Sequence, residues 1–193
     1  MALTRTDLWS LEEYSQKRDE FRARVIAHKK DRQLLLGGHL LLIFEDRLTI
    51  HYQIQEMLRV EKIFEAQGIQ DELDAYNPLI PDGDNFKCTL LIQFNDVEER
   101  KRRLAELVGV EDAIWLQFDE SGKIFPIADE DMDRDYDDKT SAVHFMRYQL
   151  NNEQIAAAKR GDTLSAGVDH PAFPVQAGVV PENIRACIVS DLK

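Results

Sequence analysis

"QLLLGGHLLLIFEDRLTIHYQIQEMLRVEKIFE", residues 33–65, changes its hydrophobic rhythm halfway. Two greasy runs flank Gly37-Gly38, a pair that tolerates positive φ, so the first half predicts a hairpin with a two-residue turn. From about residue 46 the spacing becomes helical, and a long helix is expected to run to about 67 and close near Gly68. A hairpin feeding directly into a long helix predicts an α+β fold.

The same alternation of signals continues on both sides. Ser10 and Glu13 have capping-box spacing and open a helix carrying Leu11, Tyr14, Phe21, Val25 and Ile26. "DAYNPLIPDGDNF" reads as loop, punctuated by Pro78 and Pro81. "KCTLLIQF" alternates as a strand with Cys88, Leu90, Ile92 and Phe94 on one face. Asp96 caps a helix that ends before Gly109. "AIWLQFDESGKIFPIA" predicts a hairpin over "DESGK". "TSAVHFMRYQL" is apolar on both faces, which suits a central strand. "NEQIAAAKRG" is a short helix, "TLSAGVDHPAFPVQAGVV" strand and loop, and "PENIRACIVSDL" a last helix. The expected whole is a single α+β domain over 1–193, a mostly antiparallel mixed sheet with hairpins packed against two long helices.

The chain has 193 residues and a formal net charge of −12, which disfavours nonspecific nucleic-acid binding and anionic membrane surfaces. The start, "MALTRTDLWSLEEY", lacks the apolar core of a signal peptide, and no run is long enough to span a membrane, so a cytoplasmic location is expected. Two cysteines, Cys88 and Cys187, are too few for a disulfide framework.

On a helical wheel, Ile50, Ile54, Met57, Leu58 and Phe64 gather on one side. Glu61 falls within that stripe, and His51 sits at its edge. Tyr52, Glu56, Arg59 and Ile63 gather opposite. Burying an unpaired carboxylate costs several kcal/mol, roughly more than burying a leucine returns. A buried Glu61 must therefore be paired, protonated or bound to something. The alternatives are a rim position or a bridge to Arg47 or Arg24, or a carboxylate in contact with a ligand. Glu56 and Arg59 are spaced for an intrahelical ion pair.

Established motifs are missing. Glu-x-x-His, HExxH, zinc-type Cys/His spacing, GxSxG, the P-loop and GxGxxG are all absent. The acidic run "DEDMDRDYDD" starts like a calcium loop at Asp129, but its sixth position is Arg134 and its twelfth Thr140. It reads as a solvated acidic loop. Candidate ligand-binding residues are therefore His51, Glu56, Arg59, Glu61, Asn77, Asp82, His144, Arg147, Asp169 and His170. Asn77 and Asp82 lie in a proline-stiffened loop. His144 and Arg147 share a strand, and Asp169-His170 share a loop. Glu61, His144 and His170 are the candidates for holding a divalent metal.

Five stretches, "FRARVIAHKKDR", "FEDRLTIHYQIQEMLRVEKIFE", "DELDAYNPLIPDG", "KTSAVHF" and "GVDHPAFP", together resemble a family of bacterial proteins, domain-of-unknown-function family 3501. The resemblance runs from about residue 4 to 175. It implies an association with rubrerythrin and an iron–sulfur, heterodisulfide-reductase-like oxidoreductase, and it supplies no catalytic residues. Two functions follow as expectations. One is an accessory or small-ligand-binding protein linked to a redox or peroxide-response system. The other is a metal-dependent or acid–base enzyme using Glu61 or Glu56 with His51, His144 or His170. A homodimer would be a third way to cover a helix that is apolar on two sides.

Overall fold

The computed structural model describes residues 2–119, 121–130 and 139–193. Most of the acidic run lies outside the described residues, Asp129 and Glu130 apart. Helix α1 (Leu11–Lys29) begins at Ser10, whose hydroxyl accepts the Glu13 N–H at 3.2 Å while the Glu13 carboxylate accepts the Ser10 N–H at 3.3 Å. Strands β1 (Gln33–Leu36) and β2 (Leu40–Phe44) form the expected hairpin. Its turn has three residues rather than two: Leu36 pairs with Leu40, and Gly37 and Gly38 both take positive φ.

Helix α2 (Arg47–Glu61) starts at Asp46, whose Oδ1 accepts the N–H groups of Leu48 and Thr49, both at 2.9 Å. It stops six residues earlier than expected from sequence. Lys62 adopts a left-handed conformation, φ 57°, and a second helix, α3 (Ala66–Tyr76), starts afterwards. Gly68 lies inside α3 and caps nothing. Its role is steric, because a Cβ there would lie 2.7 Å from Ile63 Cγ2. The bare glycine lets Ile63 fold back after the break. The segment expected as loop is thus helical through Tyr76, followed by a tight 3₁₀ turn at Asn77–Leu79.

The remaining elements are β3 (Asn85–Ile92), α4 (Val97–Glu106), β4 (Ile114–Phe118), β5 (Ile127–Ala128), β6 (Val143–Gln149), α5 (Asn152–Arg160), β7 (Leu164–His170), β8 (Phe173–Val179) and α6 (Glu182–Val189). Asp96 caps α4 as expected, and Gly161 closes α5 with φ 91°. The architecture is α+β, with two antiparallel sheets instead of one. Their strand orders are β1-β2-β3-β6-β5 and β4-β7-β8. The expected "DESGK" hairpin is reduced to a bridge between Leu116 and Ile124, after which the chain crosses to pair β5 with β6. "TLSAGVDHPAFPVQAGVV" forms a full hairpin, β7-β8. Pro174 is tolerated because β8 is an edge strand.

The facing sides of the two sheets share one core. β3 contributes Phe86, Cys88, Leu90 and Ile92, β6 contributes Met146 and Tyr148, and β4 and β7 contribute Leu116, Phe118, Leu164 and Ala166. α2 serves two other clusters. Ile50, Ile54 and Leu58 pack with Leu3, Leu73 and Ile80, while Leu48 and Tyr52 pack against Tyr14, Phe21 and Val25 of α1. The two-sided apolar character of α2 is therefore satisfied within one chain. No helix among the described residues is long and apolar enough to cross a membrane.

Candidate functional site

Strand alternation sends Phe86, Cys88, Met146 and Tyr148 into the core and turns Lys87, Phe145 and Arg147 to the opposite side of the five-stranded sheet. α2, α3 and the Asn77–Leu79 turn stand over that side without closing onto it. A cleft of about 600 Å³ remains between them. Met57, Leu79, Tyr76 and Phe145 make it largely apolar, and Glu72, Asp74, Lys87, Glu130 and Arg147 add charge. Its size lies within the range of small-molecule sites, roughly 300–1,000 Å³.

The charged groups divide into two kinds. Lys87 Nζ donates to Pro78 O at 2.7 Å and lies 2.9 Å from Asp82 Oδ2, tying the sheet to the turn. This ion pair holds the Asp82 carboxyl below its ordinary range. Arg147 donates from Nε and Nη2 to the two oxygens of Glu130 at 2.8 and 2.7 Å, which lowers the Glu130 pKa. Glu72 differs. Its Oε2 is buried and has no hydrogen-bond partner. Burial pushes its pKa up, and the negative charges of Glu61 and Asp71 push it further.

The sequence candidates scatter. Glu61 is exposed at the last turn of α2, so the inference that it is a buried carboxylate fails. The helix ends there and gives the side chain access to water. Its charge is nonetheless felt at Glu72. Glu56 pins α1 to α2: it accepts from Tyr14 Oη at 2.6 Å, Arg18 Nε at 2.8 Å and Arg18 Nη2 at 2.9 Å. Arg59 adds the expected intrahelical contact at 3.3 Å. The Arg18 hydrogen bond is the main reason the Glu56 pKa falls to about 2. His51 lies against Trp9 and Phe21, with ring centroids 5.2 and 5.1 Å away, and its burial lowers its pKa. Asn77 holds the N-terminal segment, accepting from Leu3 N at 2.7 Å and donating to Leu3 O at 2.9 Å.

His144 is 0% exposed and sits within the core, its Nδ1 2.6 Å from Asp129 Oδ2 and its Nε2 2.8 Å from Thr140 Oγ1. Asp169 accepts from Trp115 Nε1 at 2.9 Å and Lys123 Nζ at 2.7 Å. His170 Nδ1 accepts the Ala172 N–H at 3.3 Å, so Nε2 carries the proton and donates to Val108 O at 3.1 Å. The metal trio Glu61, His144 and His170 does not converge. Among the described residues no group of three or more His, Cys, Asp or Glu is placed to hold a metal ion. Of the ten candidates only Arg147 lines the cleft, with Asp82 beside it on Lys87.

Sequence reasoning missed two polar features. Glu72 falls between the helix end expected near Gly68 and the loop expected from Asp74, a stretch with no assigned element, and only recognising α3 would have exposed it. The other is Arg32, 1% exposed between β1 and the C-terminal segment. Its Nε donates to Phe44 O at 2.8 Å and its Nη2 to Glu45 O at 3.1 Å, with an ion pair to Asp191. Asp46 Oδ2 lies 3.5 Å from Nη1 and 2.6 Å from His28 Nε2. Residues 32 and 191 are too far apart in sequence for any local pattern to connect them.

These features describe an α+β scaffold with an open, unevenly charged cleft, and the described residues define no known catalytic constellation. The chain belongs to the DUF3501 family, described as a protein of unknown function, whose model matches residues 2–192. It is similar over 100% of both chains to a crystal structure of a novel protein of unknown function from Burkholderia pseudomallei K96243, with 50% sequence identity and a TM-score of 0.96. No protein of curated function matches the chain.

Proposed function

We propose that the protein is a small-ligand-binding accessory protein and that the cleft between α2, α3 and the outer face of the five-stranded sheet is its binding site. The observation that carries this reading is a concave, mainly apolar space lined by Glu72, a carboxylate with one buried oxygen that nothing in the protein satisfies. Buried polar atoms are almost always partnered, and an unpartnered one costs about 1–3 kcal/mol. A ligand donor at that position removes the cost. A working link to an oxidoreductase or rubrerythrin is proposed on the family resemblance alone.

The test is methyl NMR with a fragment library, reading Met57 on the cleft wall. Binding fragments are expected to shift its methyl. Ala75→Trp, a change at an exposed residue on the cleft wall, is expected to weaken them about tenfold or more while moving stability by no more than about 0.5 kcal/mol. Fragments that bind elsewhere, or that ignore the tryptophan, would remove the cleft as the site.

A further inference from the structure

The charges around the cleft are not equally available to a ligand. Lys87 is occupied by Pro78 O and Asp82. Arg147 is occupied by both oxygens of Glu130, and its Nη1 donates to Gln149 Oε1 at 2.7 Å. An anionic ligand would have to displace a carboxylate already seated on each cation. Asp74 accepts from Gln70 Nε2 at 2.7 Å and is exposed. Glu72 Oε2 is buried and unpartnered. The cleft is thus lined by three carboxylates, Glu72, Asp74 and Glu130, against two cations, Lys87 and Arg147, and Lys87 is already held by Asp82. Glu61 and Asp71 add negative charge behind Glu72.

We infer that the cleft takes an organic ammonium: an apolar body seated among Met57, Leu79, Tyr76 and Phe145, with one cationic nitrogen pairing with the Glu72 carboxylate. This rests on the cleft being the ligand site and names the class of molecule it selects. A cation suits the position better than a neutral hydroxyl. A charge-assisted hydrogen bond is roughly twice as strong as a neutral one, and the ammonium also offsets the surplus of carboxylates. The rings of Tyr76 and Phe145 attract cations through their faces, and the Met57 thioether adapts to bodies of varied shape. The raised pKa of Glu72 agrees, since the carboxylate lacks a cation in the free protein.

Three probes of one shape separate the possibilities at pH 7: 2-phenylethylammonium, 2-phenylethanol and 3-phenylpropionate, titrated while the Met57 methyl is read. The ammonium is expected to bind about tenfold tighter than the alcohol, and the carboxylate to bind weakest. In Glu72→Gln, which keeps the shape and folds at a half-buried position, the ammonium is expected to lose about that factor while the alcohol stays within about twofold. An ammonium no tighter than the alcohol, a carboxylate that binds best, or a glutamine variant that leaves the ammonium unchanged overturns the cation assignment. The cleft then still stands as a site if any probe moves the Met57 methyl. If none of the three moves it up to about 10 mM, the cation assignment and the binding-site reading fall together.

Discussion

Arg32 and Glu72 are both polar groups taken at least partly out of water, and the protein treats them in opposite ways. Around Arg32 the accounting is complete. Two backbone carbonyls, Asp191 and Asp46 surround the guanidinium, and His28 supports Asp46 from outside. Around Glu72 it is not, since one oxygen is buried with no partner and the charges of Glu61 and Asp71 act against its own. A buried charge that is fully answered holds the fold together, and its removal is a stability event. A buried charge that is unanswered does nothing for the fold, and its removal is a binding event. Most polar residues that looked functional in the sequence fall on the Arg32 side of this divide.

The largest expected effect breaks the satisfied region. Arg32→Met leaves Asp46 and Asp191 facing each other without their shared cation. Truncating one partner of a buried ion pair typically costs about 3–5 kcal/mol. Urea denaturation is expected to show a loss of that order with the m-value unchanged. Asp46 is also the N-cap of α2, so the damage extends into the helix that forms the cleft wall. The Asp46 carboxyl illustrates the balance: burial raises its pKa, but Arg32, the Thr49 N–H and His28 outweigh that and lower it. At Asp191 burial wins over the same guanidinium, and the pKa rises. A loss below about 1 kcal/mol for Arg32→Met would mean that the cluster is not what anchors the C-terminal segment.

Glu56 is the next step down. It is half-buried and accepts from Tyr14, Arg18 and Arg59. Hydrogen bonds to a charged group contribute about 1.5–3 kcal/mol, so Glu56→Gln is expected to cost about 2 kcal/mol. The pH dependence has a definite sign. The folded pKa, about 2, lies below the ordinary value of 4.5. The stability from this group is complete above 4.5 and lost as the pH falls through about 2. The difference between wild type and Glu56→Gln should therefore shrink on acidification through that window. A constant difference would assign the cost to packing rather than to the ion pair.

The sequence carried the local rules well and the long-range ones poorly. Ser10, Asp46 and Asp96 were recognisable as caps or helix starts because the groups they satisfy lie within three residues. Gly37-Gly38 announced the turn, and the period-2 pattern announced β3. The break at Lys62 was invisible because a lysine in the left-handed region gives no compositional signal, and tertiary packing of Ile63 on Gly68 imposes it. That one error carried the wheel past Glu61 to Ile63 and Phe64, which lie in the link between α2 and α3. It made Glu61 look central when it lies at an exposed end, and it concealed Glu72 on the following helix. The wheel separated Ile50, Ile54 and Leu58 from Tyr52 correctly but set Ile63, which packs with the first three, on the opposite side. What it left open was which neighbours cover the two sides of α2, and these are α1 on one side and Leu3, Leu73 and Ile80 on the other.

The smallest effects sharpen the contrast because their sign reverses. Glu72→Leu removes a carboxylate that the folded protein leaves unpartnered and adds apolar surface to the cleft wall. It is expected to stabilise the free protein by about 1 kcal/mol at pH 7, whereas Arg32→Met and Glu56→Gln destabilise it. Here the folded pKa is raised, so the stability from Glu72 is present below its unfolded value of 4.5 and lost as the pH rises through the folded one. The wild type and Glu72→Gln should therefore agree in acid and separate above pH 4.5, with the variant the more stable. Glu61→Gln should narrow that separation while changing stability at pH 7 by less than about 0.5 kcal/mol, because Glu61 acts on Glu72 only through its charge. If Glu72→Leu instead destabilised the protein by as much as Glu56→Gln does, Glu72 would belong with the groups that hold the fold together, and the cleft would lose the feature that distinguishes it from an ordinary surface groove.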